Sequence, residues 1–153
     1  MSIDRNFPST RLRRLRKSAN LRAMLAETQL TVSDLIQPIF IKENLSGRET
    51  IKTMPGIDRL GLDIINQEID DIVQTGIKSV AVFPVIDESK KDETGSQAII
   101  EDNFINGAIR NIKESYPELI VIADVALDPY TTHGHDGILN ETGDVDNDLT
   151  LPA

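Results

Sequence analysis

Two stretches decide the fold: KSVAVFPVI at residues 78–86 and LIVIADV at 119–125. Each is a short, nearly unbroken apolar run rich in Val and Ile. A strand with one wet face alternates apolar and polar residues. An unbroken run implies burial on both faces, as in a parallel sheet covered by helices. Upstream, LIQPIFI at 35–41 reads as another such strand. Pro38 inside it cannot donate to a ladder, which predicts a bulge or a place near the strand's end. Leu62, Ile65, Ile69, Ile72 and Val73 recur with a helical period, predicting a helix over 63–75 with Gly76 as its C-cap glycine. Asp102 is placed to cap a second helix running to Ser115, with Phe104, Ile105, Ala108, Ile109 and Ile112 inward and Pro117 beyond its end. The segments 42–61 and 87–101 read as loops.

The order is therefore strand, helix, strand, helix, strand. Helical crossovers between buried strands make parallel βα units. The α/β completions are an open doubly wound sheet or a (β/α)8 barrel. No GxGxxG and no GxxxxGK[ST] occurs, so the dinucleotide and P-loop versions of the open sheet lack their phosphate cradle. A barrel takes about 250 residues. The 153 residues would then supply about the first three strands of a larger domain, with a complete small three-stranded α/β domain as the alternative.

Residues 1–26 carry seven basic side chains against one acidic, whereas the rest carries nine against twenty-four, a net of −15. An acidic body repels nucleic-acid phosphates, so no nucleic-acid partner is expected of it. The organisation reads as a basic arm with a short helix (1–30; helix 18–27 with Leu21, Met24 and Leu25 on one side) and a barrel portion (31–153). Arg11, Arg13, Arg14 and Arg16 form either a phosphate patch or an inter-subunit arm that Leu12 and Leu15 could anchor. No apolar run is long enough to span a membrane. Cysteine is absent, which excludes disulfides and thiolate metal ligands. A cytoplasmic location is the default expectation.

Chemistry is concentrated in DVALDPYTTHGHDG at 124–137. Polar residues at the carboxyl end of a parallel strand face the site in α/β folds. Asp124 and Asp128 bracket that end, and a turn through Pro129 and Gly134 could return Asp136 to Asp128. Such carboxylates can bind a hard cation, orient an ammonium group or trade protons, against the plain alternative of a solvated acidic loop. His133 and His135, spaced i, i+2, suit a zinc pair only if both face one side; a loop histidine is more often exposed or hydrogen-bonded. Lys90 and Lys91 could meet an anionic substrate, and have an equal claim to be an ordinary charged loop.

FPSTRLRRLR at 7–16, MPGIDRL at 54–60, FPVIDESKKDETGSQA at 83–98 and DVALDPYTTHGHDG at 124–137, taken as a set, resemble the delta-aminolevulinic acid dehydratase (porphobilinogen synthase) family. The resemblance implies a (β/α)8 TIM barrel with an N-terminal arm and a homo-oligomer, an octamer built from dimers through that arm. It implies condensation of two 5-aminolevulinate molecules to porphobilinogen, through two Schiff-base lysines whose motifs this chain does not contain, so these 153 residues alone should be inactive. Zinc-using members place cysteines at the positions of Ala126, Asp128 and Asp136. The pattern here resembles the aspartate-rich, magnesium-stimulated type, with no zinc expected. It puts Asp124, Asp128 and Asp136 beside the substrate, with Asp128 and Asp136 at most a weak site for a monovalent cation. The stimulating Mg2+ would bind through a glutamate outside this chain. Two other readings stay open on the residues: a metal-dependent barrel hydrolase using Asp124, Asp128 and the histidines, and a non-catalytic fragment acting in assembly.

Overall fold

The computed structural model describes Pro8, Thr10 and residues 13–152. Leu12 and Arg11, two of the arm residues singled out above, lie outside them. The chain divides into two compact units, residues 1–31 and 32–153.

In the first unit a short helix, α1 (Ala19–Met24), is opened by Ser18, whose hydroxyl accepts from the Leu21 N–H at 3.2 Å. An N-cap of this kind satisfies one of the helix's orphan donors. Leu21 is half-buried, while Met24 is 75% and Leu25 42% exposed.

The second unit is built on five strands: β1 (Gln37–Lys42), β2 (Arg48–Thr50), β3 (Asp58–Leu60), β4 (Ser79–Val85) and β5 (Ile120–Ala123). Their order across the sheet is β2-β3-β1-β4-β5. β1 pairs in parallel with both β3 and β4, β4 with β5, and only β2 runs antiparallel, to β3. The segment 42–61 is thus more than a loop. Its short strands are charged, RET and DRL, and are tied by ion pairs from Glu49 to Lys42 (2.6 Å) and to Arg59 (2.7 Å). Asp63 fastens this hairpin from below by accepting from the Gly47 N–H (3.1 Å) and the Ser46 hydroxyl (2.8 Å). Pro38 sits one residue from the start of β1, opposite Ala81 in unbroken register, so the end position holds and there is no bulge.

Helix α2 (Ile65–Gln74) and helix α3 (Phe104–Ser115) cover one face of the sheet. Ile39 and Ile41 of β1 and Val80 and Val82 of β4 meet Ile65, Ile69 and Ile72 of α2 and Ile105, Ala108 and Ile112 of α3. Each fully buried Ile contributes about 1.5–3 kcal/mol, which makes this layer the principal source of stability. Three details differ from the sequence reading. α2 opens with a turn of 3-10 helix over Leu62–Ile64, and Leu62 and Val73 at the margins of its stripe are 47% and 43% exposed. α3 is capped by Asn103, whose side chain accepts from the Asn106 N–H at 2.9 Å, while Asp102 instead pairs with Arg110 at 2.6 Å. Gly76 does follow α2 with a φ of +91°, the left-handed conformation that suits glycine.

The larger correction concerns β5. Its apolar run implied burial on both faces, yet Ile120 is 59% and Ile122 40% exposed. Strand alternation turns Ile120 and Ile122 to the face opposite the helices and Val121 toward the helix-covered core. The opposite face of the sheet carries Phe40 stacked on Phe83, ring centroids 5.4 Å apart, and continues across to Ile122, the register partner of Ala81.

Candidate active site

Parallel pairing aligns the carboxyl ends of β1, β4 and β5, so the loops that leave them gather on one side. Glu43 follows β1, and its backbone N–H donates to the Val85 carbonyl at 3.0 Å. Glu43 pairs with Lys90 from the loop after β4, and Lys91 pairs with Glu88 at 2.6 Å. Both lysines thus have carboxylate partners within the protein, at the surface.

Beyond β5 the chain leaves the sheet with Asp124, whose N–H still reaches the Val82 carbonyl at 3.4 Å. The chain then turns: the Tyr130 and Thr131 N–H groups both donate to the Leu127 carbonyl, at 2.8 and 3.1 Å. The Leu127 N–H is met by the Asp136 carboxylate at 2.5 Å. That bond returns Asp136 to the residue next to Asp128. The flap thus brings Asp124, Asp128 and Asp136 into one electrostatic neighbourhood. Asp128 carries the consequence: its carboxyl is pushed above the ordinary value by partial loss of water, then by the charges of Asp136 and Asp124, with Lys91 opposing. A carboxyl moved this way keeps its proton to a higher pH than a free surface aspartate.

The histidines form no open pair. His133 Nε2–H donates to the Glu93 carbonyl at 3.1 Å, and its Nδ1 accepts from the His135 N–H at 3.1 Å. Both ring nitrogens of His133 are engaged. Among the described residues no three His, Cys, Asp or Glu side chains stand together as a metal-holding group.

Two residues that the sequence reading passed over are central to the flap. Asp92 accepts from the Thr94 N–H (2.9 Å), the Ser96 N–H (3.1 Å) and the hydroxyls of both, which holds its carboxyl well below the usual range. Thr131, almost fully buried, pairs with Asp92 in a parallel bridge. The signal for Asp92 was present in DETGS, an Asp followed by Thr, Gly and Ser, the composition of a side-chain-capped turn.

The fold and flap define a class: a parallel β/α protein whose carboxylates cluster at the carboxyl ends of its strands. The sequence profile described as delta-aminolevulinic acid dehydratase matches residues 9–153. The delta-aminolevulinic acid dehydratase of Archaeoglobus fulgidus is 41% identical over 146 residues, covering 95% of this chain and 44% of that protein. The Escherichia coli enzyme of the same name is 44% identical over 141 residues, covering 92% and 43%. The crystal structure of the Toxoplasma gondii enzyme, solved in complex with its reaction product porphobilinogen, superposes with a TM-score of 0.86 at 35% identity, over 94% of this chain and 41% of that one. The chain belongs to the delta-aminolevulinic acid dehydratase family, and its sheet and helices match part of that family's barrel. It spans less than half the length of these relatives.

Proposed function

We propose that this chain supplies the acidic wall of a porphobilinogen synthase, a lyase that condenses two 5-aminolevulinate molecules with loss of two waters. The observation that carries the reading is the convergence of Asp124, Asp128 and Asp136 at the carboxyl end of β5 in a chain of this family. A Schiff base makes a ketone an electron sink, so that a neighbouring C–H can lose its proton and a carbon–carbon bond can form. The lysines for that step belong to the portion of the barrel outside this chain. Asp124 and Asp128 hold the substrate ammonium and take part in proton transfer, and Asp136 supports the flap through the Leu127 N–H. The Toxoplasma gondii relative, solved with porphobilinogen bound, is consistent with such a pocket.

The flap does not fit zinc. Ala126 offers only a methyl group, the two carboxylates are hard donors, and one Asp136 oxygen is already taken by a backbone N–H. Stimulation by Mg2+ through a residue outside this chain, and a monovalent cation held loosely at Asp128 and Asp136, complete the proposal. So do residues 1–30 as an arm, residues 31–153 as barrel, assembly of an octamer from dimers through the basic arm, and a cytoplasmic place of work. The described residues contain no helix long and apolar enough to cross a membrane. The hydrolase reading is left with His135 alone as an imidazole ligand, because both nitrogens of His133 are engaged.

The test is turnover of 5-aminolevulinate by the protein made at the full length of its relatives, with Mg2+ present and the pyrrole product measured by colour reaction. The proposal predicts porphobilinogen from that protein and none from residues 1–153 alone. Absence of porphobilinogen from the full-length protein would overturn it.

A further inference from the structure

Among the described residues two polar side chains are buried, Ser79 and Thr131. Ser79 is explained by its hydrogen bond to the Leu35 carbonyl at 2.8 Å, which pins the start of β4. Thr131, 2% exposed, bridges to Asp92 but has no role yet in the chemistry of the three aspartates. A buried hydroxyl is costly unless it is bonded, and Val fills nearly the same space without it. What the hydroxyl adds is therefore its bond: Oγ1 donates to the His135 carbonyl at 3.0 Å, with the Asp128 carbonyl at 3.4 Å as the alternative acceptor.

Three bonds then close a ring. The Thr131 N–H goes to the Leu127 carbonyl, the Thr131 hydroxyl to His135, and the Leu127 N–H to the carboxylate of Asp136. Asp128 follows Leu127 and Asp136 follows His135, so the ring governs how the two carboxylates face each other. The ring is gripped from outside. The Asp92 N–H donates to the Tyr130 carbonyl at 3.3 Å, and the Thr132 N–H donates to the Asp92 carbonyl at 3.0 Å, one on each side of Thr131. Asp92 is itself fixed by Thr94 and Ser96. Gly95, at φ +66°, lets this turn lie close to the flap: a Cβ there would be 3.5 Å from Thr131 Cγ2 and 3.3 Å from Leu127 Cδ2.

We propose that Thr131 is a positioning residue of the acidic site: its hydroxyl, clasped from the β4 loop by the Asp92 backbone, sets the apposition of Asp128 and Asp136. The inference rests on the function proposed above, deepens it, and has a readout independent of turnover. In the full-length protein, Thr131→Val lowers kcat about tenfold, the effect of one lost hydrogen bond expressed in the transition state, with a smaller change in KM. Amide hydrogen exchange at Leu127 quickens about tenfold in the same variant. Thr131→Ser, which keeps the hydroxyl, restores both to within about threefold. If Thr131→Val does not fold, Asp92→Ala takes its place: it removes the carboxylate that holds the clasping turn through Thr94 and Ser96 and is expected to quicken exchange at Leu127 and Thr132 and to lower kcat.

The inference is overturned if the folded variant keeps wild-type kcat and Leu127 protection, if Ser fails to rescue, or if kcat falls while Leu127 stays protected, since the ring would then be intact. A wild-type protein that makes no porphobilinogen sinks the proposed function instead, and the exchange measurement still decides the clasp.

Discussion

Gly137 sits close against Val145 and Thr150. A Cβ built on it lies 2.6 Å from Val145 Cγ1 and 3.0 Å from Thr150 Oγ1. Carbon atoms pack at about 3.5–4.0 Å, so Gly137→Ala forces Val145 or the flap to yield by about 1 Å. Val145 is half-exposed and can rotate, which limits the cost on that side. Thr150 cannot move freely, because its hydroxyl accepts from the Ile138 N–H at 2.9 Å and donates to the Asp146 carbonyl at 2.6 Å. Overpacking of this kind costs about 1–3 kcal/mol. At roughly 2–4 °C per kcal/mol that lowers Tm by several degrees in a thermal melt of the full-length protein. Because Gly137 follows Asp136, the same shift disturbs the carboxylate that meets Leu127, and a 1 Å misplacement near reacting groups costs up to about 100-fold in rate. Adding Val145→Ala opens the space and should recover most of the lost Tm. A Gly137→Ala protein as stable and active as wild type, or a double variant no better than the single one, would refute the steric argument.

Other outcomes follow from the same geometry. Asp128→Ala cuts porphobilinogen turnover while leaving assembly intact, checked by steady-state kinetics beside size-exclusion chromatography. Because burial and two like charges raise the Asp128 carboxyl, its contribution to stability is full below its unfolded value of 3.8 and is lost as pH rises through the folded one. Asp128→Asn should therefore hold or raise Tm at neutral pH even as activity falls. Asp92 is the opposite case: its carboxyl is depressed by the Ser96 and Thr94 donors, so its contribution is present above 3.8 and is lost as pH falls. Asp92→Asn should flatten part of the acid-side fall in Tm below about pH 4. Tyr116, whose hydroxyl donates to Asp70 at 2.7 Å and lies 2.8 Å from the Asn66 carbonyl, ties α3 to α2, and its pKa is pushed up to about 12 by burial and then by Asp70. Tyr116→Phe should cost about 1 kcal/mol in denaturant titrations and remove the loss of stability expected as pH rises from 10 toward 12.

The parts of this molecule that were legible in its sequence are those written in local periodicity. The stripes Ile65-Ile69-Ile72 and Ile105-Ala108-Ile112 place α2 and α3 on the sheet, and the Val- and Ile-rich runs place β1, β4 and β5. What was not legible depends on partners distant in the chain. β2 and β3 are three residues each and charged, and they exist through pairing and through Glu49 with Lys42 and Arg59. The apolar run of β5 carries no mark of whether its second face is covered, so Ile120 and Ile122 read as buried when they are exposed. At the site, the three aspartates could be named from their place after β5. The return of Asp136 toward Asp128 was an open possibility; DETGS marked Asp92 as a capped turn, but its pairing with Thr131 was not visible. That pairing is a parallel bridge between two loops, which no pattern within either loop encodes.

The central claim, that the carboxylates after β5 hold the substrate amine, is tested most directly by a crystal structure of the full-length protein with porphobilinogen bound. The account predicts the product's amino group within hydrogen-bonding distance of Asp124 or Asp128, with Asp136 still on the Leu127 N–H. A product whose amine lies against other residues, with all three aspartates facing solvent, would contradict it.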